Sequence, residues 1–177
     1  MLMEKRFQLI KKEYDHFDRS LLREGRLPLK DTGIGFWNAA ISQEVFELFN
    51  KLKLQKYSHF LDLGSGDGRV VMIASLFTNA TGIEIDRELV NKSAELQRIL
   101  DIKNVNFIHK NFMEHDISGH DVVFINPDRP MYRGLEDKLL NELKGQLIVY
   151  GHHFHPTLLQ KKKEFHLDAN YAALYTK

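Results

Sequence analysis

The chain has no cysteine, so disulfides and thiolate metal ligands play no part in its stability or chemistry, and redox arguments leave its compartment open. It also lacks an apolar run near the roughly 18–20 residues of a membrane span, and its N-terminus has no signal-peptide core. Cytoplasm is the expectation. Excess charge is missing too: 25 basic against 24 acidic residues leave a net charge of +1, which gives no general pull toward nucleic acid, though it allows a local basic patch. No repeat or low-complexity segment interrupts the sequence. What remains is an ordinary soluble composition, 43% hydrophobic and 28% charged over 177 residues, most simply one domain with a core of its own.

The pattern is organised around Phe60-Leu61-Asp62-Leu63-Gly64-Ser65-Gly66-Asp67-Gly68-Arg69-Val70-Val71. An apolar run meets three glycines in five residues and passes into a helical segment, the strand–turn–helix opening of a nucleotide-binding unit. Glycines let the chain turn sharply and let a ligand lie against bare backbone. The unpaired N–H groups at the helix start favour an anionic group. Spacing narrows the ligand. Glycines at 64, 66 and 68 give G-x-G-x-G rather than the dinucleotide G-x-G-x-x-G, and Gly68-Arg69-Val70 is not the Gly-Lys-Ser/Thr of a phosphate loop. Asp62 and Asp67 bracket the turn with carboxylates, which suit an amino or sulfonium cation better than a pyrophosphate.

This run, D-x-G-x-G-x-G at 62–68, resembles motif I of the class I S-adenosylmethionine-dependent methyltransferases. The resemblance implies an α/β, Rossmann-like fold: a mostly parallel seven-stranded sheet with a terminal antiparallel hairpin, here preceded by an N-terminal helical extension. It implies S-adenosyl-L-methionine as cofactor, with Asp62, Gly64, Ser65, Gly66, Asp67 and Gly68 at its binding turn. Residues 1–177 are expected to form a single methyltransferase domain, with helices and a cofactor-covering loop in 1–57 and the cofactor-binding core in 58–177.

Further residues take their expected roles by position. Ala80 to Asp86 reads as a second strand ending in acids. A carboxylate at that strand end lies beside the first glycine turn in open α/β sheets and can take both ribose hydroxyls. The resemblance gives this role to Glu84, free of any duty in the fold, and leaves Asp86 as cap of a helix over 87–100. After a third strand at 105–109, Asn111 and Phe112 stand where the family holds adenine, with an amide where Asp is more usual. The fourth strand ends in Asn126-Pro127-Asp128, resembling the Asn-Pro-Pro-aromatic motif of methyltransferases acting on exocyclic or amide nitrogen. Asn126 and Pro127 match, and Asn126, Pro127 and Asp128 are the candidate catalytic residues, with Asn126 also expected at the cofactor. Asp128 replaces the second proline and is expected to select a donor or cationic substrate, while Tyr132 is the candidate for the missing aromatic. A plain proline turn after a buried strand is the other reading of this segment.

Residues 4–22 carry apolar positions at helical spacing and predict an amphipathic helix packed on the domain. Residues 31–38, with two glycines, Phe36 and the single tryptophan, Trp37, predict a mobile loop that either covers the cofactor or plugs the core. Ser42 is the expected cap of a helix to Leu52. Five strand–helix alternations are expected before the hairpin, which turns at 168–170, with Lys161-Lys162-Lys163 as a solvated helix end. His152, His153 and His155 invite a metal reading, but neighbours on an extended chain diverge, so no metal is assigned and substrate contact is the better use.

The implied reaction is methyl transfer to nitrogen of an RNA or DNA base or a protein side chain. A small-molecule acceptor, a non-catalytic S-adenosylmethionine-binding protein and a nicotinamide oxidoreductase are the alternatives, the last disfavoured by the glycine spacing. Nucleic acid or protein is the favoured partner, with no membrane; acceptor, methylated atom and oligomeric state are left open.

Overall fold

The computed structural model describes residues 2–131 and 134–177. The chain opens with helix α1 (Leu2–Arg23), which buries Phe7, Ile10, Tyr14 and Leu21 on one stripe and leaves its charges outside. A two-stranded antiparallel hairpin follows, β1 (Leu29–Asp31) and β2 (Phe36–Asn38). The segment expected as a loop is thus a hairpin, its turn closed by bonds from both the N–H and the hydroxyl of Thr32 to the Gly35 carbonyl. Helix α2 (Ser42–Leu52) comes next. Its N-cap is Ile41 in extended conformation, not Ser42, which lies buried in the first turn.

The main sheet holds β3 (His59–Leu63), β4 (Asn79–Glu84), β5 (Val105–His109), β6 (Val122–Ile125), β7 (Gln146–Tyr150), β8 (Gln160–His166) and β9 (Tyr171–Thr176). Their order is β5-β4-β3-β6-β7-β9-β8. β5, β4, β3, β6 and β7 pair in parallel, and β9 inserts antiparallel between β7 and β8. The order reverses between β4 and β6 on either side of β3, the switch point outside which ligands settle in open α/β sheets.

Period-2 alternation sends the strands into two cores. Phe60, Phe124, Ile148 and Tyr150 pack with α1, α2, helix α3 (Arg69–Ala74) and helix α4 (Arg87–Ile99) on one face. Leu61, Leu63, Ile125 and Val149 pack on the other with Leu139 of helix α5 (Leu135–Glu142). Among the described residues the expected five alternations shrink to three: helices follow β3, β4 and β6, while the β5–β6 crossover has only a 3₁₀ turn at Phe112–Glu114 and β7 leads by an irregular loop to β8. Lys161, Lys162 and Lys163 lie on the edge strand β8 around a bulge, not at a helix end. Exposed lysines and a bulge are what an unpaired edge needs to resist strand addition.

Candidate cofactor and acceptor cleft

The glycine turn leaves β3 with Gly64, Gly66 and Gly68 all at positive φ, +76°, +54° and +81°. Gly64 and Ser65 donate to the Ile83 carbonyl of β4, so the turn is hung between the two strands. Behind it stands a polar buttress that motif reading did not reveal. Arg69, 5% exposed, pairs with Asp67 at 2.7 Å and with Asp18 of α1 at 2.6 Å. It also donates to the Ala40 carbonyl and lies over the Tyr14 ring. The Tyr14 hydroxyl donates to the Asp67 carbonyl at 3.0 Å. The N-terminal helix therefore braces the turn from beneath. Only the amphipathic stripe signalled it in the sequence; which stripe residues met the turn was decided 53 positions away.

Glu84 ends β4 almost buried, and its carboxylate accepts three backbone N–H groups: Gly66 at 2.8 Å on one oxygen, Ile85 and Asp86 at 2.8 Å on the other. It is therefore part of the fold, contrary to the expectation that it has no duty there. A carboxylate has about four lone-pair positions, so three bonds leave acceptor capacity on the oxygen held by Gly66. Asp62, fully enclosed in β3, has its carboxyl pushed well above the usual range by burial first and by the charges of Glu84 and Asp67 next.

In front of the turn is a cleft of ≈ 590 Å³. It gathers Trp37, Gly64, Glu84, Asn111, Phe112, Asn126, Pro127 and Asp128 from five separate stretches of chain. Asp62, Ser65, Gly66, Asp67 and Gly68 are buried and do not line it. The reason for Gly66 is Trp37, whose indole lies so close that a Cβ on Gly66 would stand 2.1 Å from its Cδ1. The hairpin is thus a wall of the cleft, tied on one side by Lys30 to Asp86 at 2.7 Å and Glu88 at 2.6 Å. Asp86 caps α4 as expected, through bonds from Glu88 and Leu89 N–H. Asn111 spends its side-chain oxygen capping the 3₁₀ turn, accepting from Met113 N–H at 3.0 Å.

Asn126 is exposed at the end of β6, its Oδ1 near Gly151. Asp128 is not a free charge: it accepts from Phe36 N–H at 2.8 Å and pairs with Arg129 at 3.1 Å. The aromatic role expected of Tyr132 lies outside the described residues. Of the three histidines, His155 has one ring nitrogen at Tyr175 Oη and the other at the Gly151 carbonyl, both 2.9 Å, while His152 reaches the Ala169 carbonyl. Among the described residues no helix is long and apolar enough to cross a membrane.

The donor set suits S-adenosylmethionine. Gly64, where a Cβ would meet nothing within 4 Å, offers open backbone in the cleft; Glu84 has an oxygen to give, and Asn111 and Phe112 line the same cleft.

Comparison with known proteins gives concordant results. The sequence model of the ANTKMT methyltransferase domain matches residues 62–163. An uncharacterised RNA methyltransferase of Mycoplasma mobile is 31% identical over 120 residues, 62% of this chain and 32% of that protein. The chain thus spans about a third of the length of the curated relative it matches. Among solved structures, an RNA methyltransferase of Salinibacter ruber bound to S-adenosyl-L-homocysteine superposes with a TM-score of 0.69 at 23% identity, over 77% of this chain and 92% of that one. A Pyrococcus abyssi tRNA (uracil-54, C5)-methyltransferase, also with S-adenosyl-L-homocysteine, gives 0.64 at 18% identity over 76% and 38%. At these identities the likeness is one of fold.

Proposed function

The chain belongs to the ANTKMT methyltransferase domain family, and from that premise we propose that it is an S-adenosylmethionine-dependent methyltransferase acting on nitrogen, of an RNA or DNA base or of a protein side chain. The observation that carries this reading is the convergence of Gly64, Glu84, Asn111 and Asn126 on one cleft at the switch point of the sheet. Nucleic acid is the first acceptor to test, because the Mycoplasma and Salinibacter relatives are RNA methyltransferases.

S-adenosylmethionine, when bound, supplies a methyl group already activated on a sulfonium, so the chain is left with orientation and exclusion of water. Glu84 offers its remaining lone pair to one ribose hydroxyl. Asn111 and Phe112 hold the adenine through the second lone pair of the Asn111 amide oxygen, the first being taken by Met113 N–H, and through a backbone N–H. Glu84 contributes negative potential beside the turn, favouring a cationic ligand. Asn126 accepts from the acceptor N–H through its side-chain oxygen, assisted by the backbone at Pro127, and so turns the nitrogen lone pair into the cleft. A lysine acceptor must shed its proton first, from a reference pKa of about 10.4.

The test is transfer of a tritiated methyl from S-adenosylmethionine into cell extract, followed by nuclease or protease digestion. Nuclease-sensitive label supports the nucleic-acid acceptor, protease-sensitive label a protein side chain and dialysable label a small molecule. Binding of S-adenosylhomocysteine without transfer to any fraction would make the chain a non-catalytic cofactor binder.

A further inference from the structure

The hairpin β1–β2 has two strands of three residues each, too little for an independent fold in water. Its position rests on tethers to other parts of the molecule. Lys30 ties it to the start of α4 and Trp37 sits on Gly66. The tether on the acceptor side is Asp128, which accepts from the backbone N–H of Phe36 at 2.8 Å, two residues past Asn126 and 92 past Phe36. Gly35 completes the fit. A Cβ there would lie 2.9 Å from Asp128 Oδ2 and 3.1 Å from Arg129 Nη2, so the missing side chain lets the carboxylate approach the strand. Arg129 grips both oxygens of the same carboxylate, Nε to Oδ1 at 3.2 Å and Nη2 to Oδ2 at 3.1 Å.

We infer that Asp128 is a positioning residue that fastens the Asn126-Pro127 loop to the β1–β2 hairpin, so that the wall of the cofactor cleft and the acceptor-holding loop close as one body. The inference rests on the methyltransferase reading of the cleft. Phe36, Asn126 and Asp128 all line the same cavity, so a ligand that orders the hairpin also orders the acceptor loop, and the coupling is reciprocal. Burial pulls the Asp128 carboxyl upward, but the bonds from Arg129 and Phe36 N–H outweigh it and hold the group below its ordinary range. At neutral pH it is a charged acceptor.

The test combines amide hydrogen exchange at Phe36 with titration of S-adenosylhomocysteine, in the wild type and in Asp128→Ala, Asp128→Asn and Gly35→Ala. Asp128→Ala is expected to speed exchange at Phe36 and to weaken S-adenosylhomocysteine binding, each by about tenfold, with no change in exchange of the β3–β7 core; this corresponds to about 1.4 kcal/mol. Asp128→Asn keeps an acceptor oxygen and restores most of both. Gly35→Ala, at a position without positive φ, reproduces the Asp128→Ala phenotype, and the double variant adds nothing to either single one. Wild-type exchange and affinity in Asp128→Ala would overturn the inference, as would strict additivity of the two substitutions. If the wild type does not bind S-adenosylhomocysteine, the methyltransferase reading falls, while the exchange measurement alone still decides whether Asp128 holds the hairpin.

Discussion

The indole of Trp37 rests on Gly66, with a Cβ at that glycine falling 2.1 Å from Cδ1 and 2.3 Å from Nε1. The hairpin and the glycine turn therefore fit only because residue 66 has no side chain. Gly66→Ala is expected to expel the indole as well as strain a backbone at φ +54°. Trp37 is the single tryptophan, so the displacement can be read as a red shift of fluorescence, with weaker S-adenosylhomocysteine binding. Unchanged emission would mean the hairpin adjusts without leaving the turn.

Glu84 serves the fold and the cleft together. Glu84→Ala leaves the Gly66, Ile85 and Asp86 N–H groups without their acceptor. Loss of cofactor affinity of about 1.5–3 kcal/mol per hydrogen bond to the charged group is expected, together with a lower melting temperature. Weaker binding at an unchanged melting temperature would show that water takes over those backbone bonds.

Arg69 tests the buttress beneath the turn. Arg69→Ala strands the carboxylate of Asp67, which is 1% exposed, and releases α1 at Asp18. Breaking a buried ion pair on one side costs about 3–5 kcal/mol, to be measured by denaturant unfolding. A loss below about 1 kcal/mol, the scale of surface ion pairs, would show that α1 is not braced there.

Asn126 separates binding from transfer. Asn126→Ala is expected to keep S-adenosylhomocysteine affinity while methyl transfer falls by about a hundredfold or more, as when an oriented polar group is lost from a site. Equal activity would move the search for the acceptor-holding group to the β7–β8 loop, which carries His152, His153 and His155.

The Lys30–Asp86 tie makes hairpin order depend on pH. Burial raises the Asp86 carboxyl, but the bond from Lys30 and the α4 N–H groups outweigh it and hold its pKa below the ordinary value. Burial lowers Lys30, and its bonds to Asp86 and Glu88 outweigh that and raise it. The tie is thus fully present above the unfolded Asp value of about 3.9 and below the unfolded Lys value of about 10.4. It is lost as pH falls through the depressed Asp86 pKa or rises through the elevated Lys30 pKa. Trp37 fluorescence should be flat across that window and change at its ends, and Lys30→Ala should abolish the Asp86 part of the acid-side change. A hairpin signal titrating near pH 7 would point to another group.

The sequence by itself determined the glycine turn, the strand that feeds it, the acid at the end of the next strand and the Asp86 cap, because each depends on neighbours within a few residues. It also determined the sheet's class, since apolar runs separated by helical stripes leave few ways to bury both. Tertiary structure decided what those residues touch. Asp128 looked like a free charge until β6 and the hairpin met, and Glu84 like a pure ligand group until Gly66 N–H was placed against it. Trp37 could as well have plugged the core as walled the cleft. Lys161-Lys162-Lys163 carries no period that tells a helix end from an edge strand; pairing with β9 fixed it. The Tyr14–Asp67 and Arg69–Asp18 contacts span more than 50 positions. Local rules assign a backbone its turn and its cap, but a side chain's partner is set by which elements the shared burial of two sheet faces forces together.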